Sequence, residues 1–186
     1  MLPLTLPTIL TLFRIALLPV MVIVFYAPFK GANVAAALIF LAAALTDWLD
    51  GYIARRYNMG SAFGAFLDPV ADKLMVAVTL FLIVQENPTP LMAVTSAVIV
   101  GREISISALR EWMAEIGQRA HVRVAWLGKI KTVLQIVAIA WYIWPFQSVL
   151  ASVGPWLMAA AVVVTVVTGA DYVVRVLRIR RAAAGR

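Results

Sequence analysis

Four aspartates, Asp47, Asp50, Asp68 and Asp72, fall within the stretch DWLDGYIARRYNMGSAFGAFLDPVAD of a chain that is 63% hydrophobic and only 13% charged. On helices, spacings of three and four residues put the members of each pair on one face, ~4.5 and ~6 Å apart along the axis. Carboxylates gathered in this way repel one another unless cations neutralise them. An all-oxygen donor set suits hard ions such as Mg²⁺, Mn²⁺ or Ca²⁺. A metal cluster that bridges phosphate oxygens and positions an attacking hydroxyl is a standard device of phosphoryl transfer. Gly51 and Gly64 allow close backbone approach, and Arg55 offers a fork suited to phosphate oxygens. The plainer alternatives are that the acids cap and solvate helix ends beside Arg55 and Arg56, and that the glycines permit close helix packing in lipid.

The elements that must position these residues are apolar. Soluble chains carry about 25% charged residues, and several runs here reach or approach the ~20 residues that cross a bilayer as helix. A polytopic all-α membrane protein follows, because a lipid-exposed backbone must satisfy its own hydrogen bonds. The runs lack the alternation of a β-barrel. With no cysteine among 186 residues, a disulfide framework and a thiolate metal site are excluded. The first apolar run has no basic region before it and no A-x-A-like cleavage site, so it reads as a mature span. Pro and Gly clusters divide the chain into six expected spans: about Thr8–Tyr26, Val34–Ala54, Gly64 to QENPTP, Leu91 to beyond Arg110, Trp126–Trp144 and Val149–Val174. The connections are short and no repeat is visible, so residues 1–186 read as one domain.

Basic residues orient the spans. Arg55 and Arg56 lie in the second connection. Arg110, Arg119, Arg123, Lys129 and Lys131 lie around the fourth, and Arg175, Arg178, Arg180, Arg181 and Arg186 lie in the tail, while the opposite side has only Lys30. The positive-inside rule then makes both termini cytoplasmic. The net charge of +7 is concentrated on that face, where it meets anionic membrane lipids; this distribution argues against a nucleic-acid partner. In such a hairpin Asp47 and Asp50, at the end of span 2, reach the same depth as Asp68 and Asp72, at the start of span 3.

Arg102 lies ~17 Å into a ~30 Å core, a depth that requires an interior partner or a wet cavity. Arg110 repeats about two turns later. With Lys129 and Lys131 these form a candidate cationic pocket. Pairing with Glu103, Glu111 or Glu115 is the alternative for the arginines, and interfacial anchoring for the lysines. Arg14 has two candidate partners, one of the four aspartates or a lipid phosphate, and Arg175 is expected to pair with Asp171 at i,i+4. His121 has no partner at ligand spacing. Trp126, Trp141, Trp144 and Trp156 read as interfacial anchors.

The spacing Asp47-x₂-Asp50-Gly51-x₂-Ala54-Arg55-x₈-Gly64-x₃-Asp68-x₃-Asp72 matches in full the signature of the CDP-alcohol phosphotransferase family, which this chain resembles. The resemblance implies six transmembrane helices, a homodimer, and transfer of a phosphatidyl or related group from a CDP-linked lipid to an alcohol with release of CMP. LPTILTLFRIALLP, REISISALREWMAE and WLGKIKTVLQ are similar to the phosphatidylglycerophosphate synthase branch, whose members join CDP-diacylglycerol to sn-glycerol 3-phosphate. Thr8 departs from the family, many members having Asn there, as does MGSAF before Gly64. The resemblance assigns Asp47, Asp50 and Asp68 to one or two Mg²⁺ or Mn²⁺ ions. Asp72 becomes the general base and a further metal ligand, and Gly51, Arg55 and Gly64 become contacts of the CDP moiety. Because the acceptor carries its own phosphate, Arg102, Arg110, Lys129 and Lys131 become the candidate site for that phosphate. It implies a bacterial cytoplasmic membrane with the active site on the cytoplasmic side. Other acceptors, namely inositol phosphate, serine or phosphatidylglycerol, are the alternatives within the family. A divalent-cation transporter is the main alternative outside it, and a non-catalytic membrane scaffold is a further one.

Overall fold

The computed structural model describes residues 5–57, 61–117, 126–145, 150 and 152–184. Among them are six helices: α1 (Leu6–Phe25), α2 (Ala32–Tyr57), α3 (Ala62–Glu86), α4 (Pro90–Glu115), α5 (Trp126–Ile143) and α6 (Val153–Ala184). No strand occurs among the described residues. The helix order agrees with the six expected segments. Their ends differ where a helix outlasts its apolar run: α2 continues through Arg55 to Tyr57, and α6 continues to Ala184. At its other end α6 begins at Val153, later than the expected Val149, and Pro155 falls in its first turn, where a missing N–H costs nothing.

Four helices are long and apolar enough to cross a membrane: Leu6–Phe25, Ala32–Ile53, Pro90–Glu115 and Val153–Ile179. In α3 the apolar run is interrupted by Asp68, Asp72 and Lys73, and in α5 by Lys129 and Lys131. Beside a buried apolar core, many large apolar side chains face outward while several polar ones are buried. Phe13, Ile23, Leu38, Phe81, Val94, Val133, Trp156 and Val163 are all exposed, whereas Thr8, Thr11, Arg14, Asp50, Thr79, Gln135 and Thr165 are buried. That arrangement suits a solvent as apolar as the side chains facing it.

Two compact units divide the chain: Met1–Pro88 with Ile139–Ala151, and Thr89–Ala138 with Ser152–Arg186. In the first, α1 packs along α2 and against α3. Small residues on one face of α2, Ala36, Ala37 and Ala43, are fully buried with Phe40 among them; small side chains let helix backbones approach where hydrophobicity alone does not drive them together. In the second unit, α4 packs on α6 through Ile106, Met113, Tyr172 and Val176, flanked by Leu109 and Ile179. Thr89 caps α4 by accepting from the Met92 N–H at 3.2 Å, with Pro90 in the first turn. Gly117, in the left-handed region at φ 74°, follows its end.

A chain of hydroxyls fixes the start of α3 against the start of α1. Thr5 Oγ1 lies 2.9 Å from Thr8 Oγ1, Thr8 Oγ1 lies 2.7 Å from Ser61 Oγ, and Ser61 Oγ accepts from the Gly64 N–H at 2.9 Å. A Cβ on Gly64 would come within 2.9 Å of Thr8 Oγ1 and 3.0 Å of Ser61 Oγ. Both departures from the family pattern, at Thr8 and before Gly64, thus meet at a signature glycine. Of the MGSAF segment, Met59 and Gly60 lie outside the described residues. Gly64→Ala is expected to lower stability by about 1–3 kcal/mol through overpacking, and adding Thr8→Ala is expected to restore part of the loss. Thermal unfolding in detergent micelles checks this; a Gly64→Ala midpoint equal to that of the parent contradicts the packing.

Candidate active site

Pro7, Thr8, Thr11 and Arg14 form a buried stripe on α1. At spacings of three and four residues, this face carries the only polar groups of an otherwise apolar helix toward its neighbours. Arg14 is 2% exposed, and its guanidinium ion-pairs with three of the four signature carboxylates. Nη1 lies 3.0 Å from Asp47 Oδ1 and also bonds Asp72 Oδ1, while Nη2 bonds Asp50 Oδ2. The fourth carboxylate, Asp68, accepts from Thr11 Oγ1. Asp47 and Asp50 on α2, and Asp68 and Asp72 on α3, are therefore brought together as the hairpin requires. Of Arg14's two candidate partners, carboxylate and lipid phosphate, the structure shows the carboxylates.

The site has an inner and an outer layer. Arg14 and Asp50 are buried, whereas the side chains of Asp47 and Asp72 are 43% and 44% exposed. Asp68 is likewise partly exposed, so Asp50 is the one buried carboxylate of the four. Within this group of five, four carboxylates against one guanidinium leave three formal negative charges uncompensated. Hard oxygen donors carrying that excess fit a divalent cation. Among the described residues no three acids surround a common point at metal-binding range, because each turns instead to Arg14 or to Thr11. Gly51 and Arg55 continue along α2 beyond Asp50, and Gly64 lies under Thr8 at the start of α3.

The expected cationic residues belong to the second unit. Arg102, its side chain 15% exposed, turns into the packing of α4 on α6. Its Nη2 donates to Thr168 Oγ1 at 3.1 Å and its Nη1 to Glu103 Oε1 at 3.4 Å. Lys131 of α5 is buried and pairs with the same Glu103 oxygen. Glu103, weighed from sequence as a partner for the arginines, thus joins Arg102 to Lys131. Lys131 is a buried member of this group rather than an interfacial anchor. Arg110 and Lys129 are exposed. Arg175 pairs with Asp171 at 2.9 Å, as the i,i+4 spacing predicts. Arg119, His121 and Arg123 lie outside the described residues. Trp141 is half-buried and Trp144 and Trp156 are exposed, and Trp141 Nε1 donates to the Leu150 carbonyl at 2.8 Å.

Two residues escaped the sequence reading. Thr11 was legible in principle, as the polar position three before Arg14 on one face of an apolar helix. Thr168 was not, since its hydroxyl also makes the bond usual for a threonine in an apolar helix, to the Val164 carbonyl of its own helix, and nothing in the sequence marks the further contact with Arg102.

The sequence profile of the CDP-alcohol phosphatidyltransferase family matches residues 4–167, running through both units, and the chain belongs to that family. It is 54% identical over 138 residues to a CDP-diacylglycerol–glycerol-3-phosphate 3-phosphatidyltransferase of Escherichia coli K12, covering 74% of this chain and 76% of the relative. A Salmonella choleraesuis protein of the same name has the same identity, 54% over 138 residues, with the same coverage of 74% and 76%. The protein of that name from Shigella flexneri serotype 5b is 50% identical over 159 residues, covering 86% of this chain and 87% of the relative.

Removing the inner cation leaves Asp50 buried and unpaired. Arg14→Met is expected to destabilise the protein by about 3–5 kcal/mol, the range for breaking a buried ion pair from one side. Arg14→Lys, which keeps the charge but not the fork, is expected to cost less. Thermal unfolding with chelator present checks the order; an Arg14→Met protein as stable as the parent contradicts the role of this guanidinium.

Proposed function

We propose that this chain transfers the phosphatidyl group of CDP-diacylglycerol to the C1 hydroxyl of sn-glycerol 3-phosphate, giving phosphatidylglycerophosphate and CMP in phospholipid biosynthesis. The observation that carries the reaction type is the gathering of all four signature aspartates around Arg14 and Thr11, with Asp47 and Asp72 open to a bound molecule. The choice of acceptor is supported by the activity named for relatives at 54% and 50% identity.

In this reading Asp47, Asp50, Asp68 and Asp72 would hold one or two Mg²⁺ or Mn²⁺ ions. Bound there, the ions would supply positive charge to the diphosphate as its bridging bond breaks. The chain's own residues do the rest. Gly51, Arg55 and Gly64 hold the CDP end. Asp72 takes the proton of the acceptor's C1 hydroxyl, whose oxygen forms a new bond to the β-phosphorus. The bond from that phosphorus to the bridging oxygen breaks, and CMP leaves with the bonding pair. Arg14, fixed by Asp47 and Asp50, orients the Asp72 carboxylate toward this proton. Arg102, Arg110, Lys129 and Lys131 bind the acceptor's own phosphate. Positioning and fixed charge contribute most of the acceleration in chemistry of this kind.

The same proposal includes six membrane spans, both termini and the active site on the cytoplasmic side, a bacterial cytoplasmic membrane, and a homodimer. The location of the basic residues supports the orientation.

Incubating the purified protein with CDP-diacylglycerol, Mg²⁺ and radiolabelled sn-glycerol 3-phosphate is expected to move label into extractable lipid. Inositol phosphate, serine and phosphatidylglycerol are expected not to serve as acceptors. Preferred incorporation of one of those would overturn the acceptor assignment. Asp72→Asn is expected to reduce turnover by at least about 10²-fold, the lower range for losing a general base, while CDP-diacylglycerol still binds. Equal loss of turnover and nucleotide binding would make Asp72 a metal ligand only.

A further inference from the structure

Gly169 sits in the interior of α6, far from either end of a helix that spans Val153–Ala184. Glycine there costs roughly 1 kcal/mol relative to alanine, and its backbone does not require it: among the described residues the glycines with positive φ are Gly31 and Gly117. What the missing side chain makes room for is specific. A Cβ on Gly169 would meet Arg102 Cγ at 3.1 Å, Arg102 Nε at 3.3 Å and Arg102 Cδ at 3.8 Å. These are its nearest neighbours outside its own helix, and all belong to one arginine side chain rather than to the α4 backbone. Close approach of two helix backbones, the usual reason for a glycine in an apolar helix, therefore does not account for it.

The preceding residue completes the seat. Thr168 Oγ1 donates to the Val164 carbonyl at 2.7 Å, which turns a lone pair toward Arg102 Nη2 at 3.1 Å. Among the described residues Arg102 Nη1 has the 3.4 Å contact with Glu103, and its buried Nε has no hydrogen-bond partner. Glu103 is shared with Lys131, so the three side chains carry one formal positive charge in excess. A guanidinium has five N–H donors; α6 holds this one by its stem and one corner and leaves donors for an oxyanion.

We propose that Gly169 and Thr168 are positioning residues that seat Arg102 across α6 and so fix its fork for the phosphate of the acceptor. Residue 169 lies beyond the part of the chain that the family profile matches. The proposal rests on Arg102 being an acceptor-phosphate contact. Alanine at 169 requires the Arg102 side chain to give by a few tenths of an ångström, and the atoms it meets are the middle of that side chain and not its flexible tip.

Steady-state kinetics with each substrate varied in turn separates these claims. Gly169→Ala is expected to raise KM for sn-glycerol 3-phosphate about tenfold, equivalent to about 1.4 kcal/mol of binding, with kcat and KM for CDP-diacylglycerol little changed. Such a split reports lost acceptor binding rather than a damaged fold. Thr168→Val, which removes the hydroxyl and keeps the shape, is expected to shift the same KM in the same direction. In an Arg102→Ala background neither change should raise that KM further. If Arg102→Ala alone leaves the acceptor KM unchanged, the assignment of Arg102 itself is wrong. If Arg102→Ala raises it while Gly169→Ala and Thr168→Val do not, or if their effects persist without Arg102, the seating proposal is overturned.

Discussion

Arg14 places a fixed positive charge among three packed, largely apolar helices, and it is tolerated there because aspartates from two of those helices meet it. Neither side of this contact is stable alone. A guanidinium at 2% exposure without carboxylates would carry a large desolvation cost, as would the buried Asp50 without the guanidinium. The pairing therefore fixes how α1 lies against the α2–α3 hairpin. Thr11 adds a bond from the same face of α1 to Asp68, and the Thr8–Ser61 contact closes the start of α3 on the start of α1. One face of a single helix thereby sets the positions of all four signature acids.

Specificity from polar contacts is the expected solution in lipid. Where the surroundings are as apolar as leucine, hydrophobic burial does not select one arrangement of helices over another, and buried polar contacts and small residues do. Both units show this: the first is organised around Arg14 and the alanine face of α2, the second around Arg102, Glu103, Lys131 and Thr168 with Gly169 beneath. The exposed side chains of Ile23, Leu38, Phe81 and Val163 make no such distinctions. The two groups have opposite formal charge, negative in the first unit and positive in the second.

Much of this was legible in the sequence because membrane helices are written in long apolar runs with Pro and Gly between them. Helix order followed from those runs, and the pairing of acids across the α2–α3 hairpin followed from spacing and depth. Helix ends were less legible where a helix leaves its apolar stretch, as at Tyr57 and Ala184, since the hydropathy pattern stops before the hydrogen bonding does. Arg14 was visible as an anomaly, but its choice between carboxylate and lipid phosphate depends on which face of α1 meets the hairpin. Gly169 was not legible at all. A glycine in a run of valine, threonine and alanine reads as ordinary packing, and only the position of Arg102 on another helix gives it a purpose. The division at Pro88 and Ala138 was similarly hidden, because it falls at a short turn and within α5 rather than at a change of composition.

The most direct test of the account is CMP release from CDP-diacylglycerol by the purified protein in detergent with Mg²⁺, measured with and without sn-glycerol 3-phosphate. The account predicts CMP formation that depends on the acceptor, saturates with it, and is lost when the divalent ion is chelated. Release at the same rate without acceptor, or none when all three components are present, would contradict it.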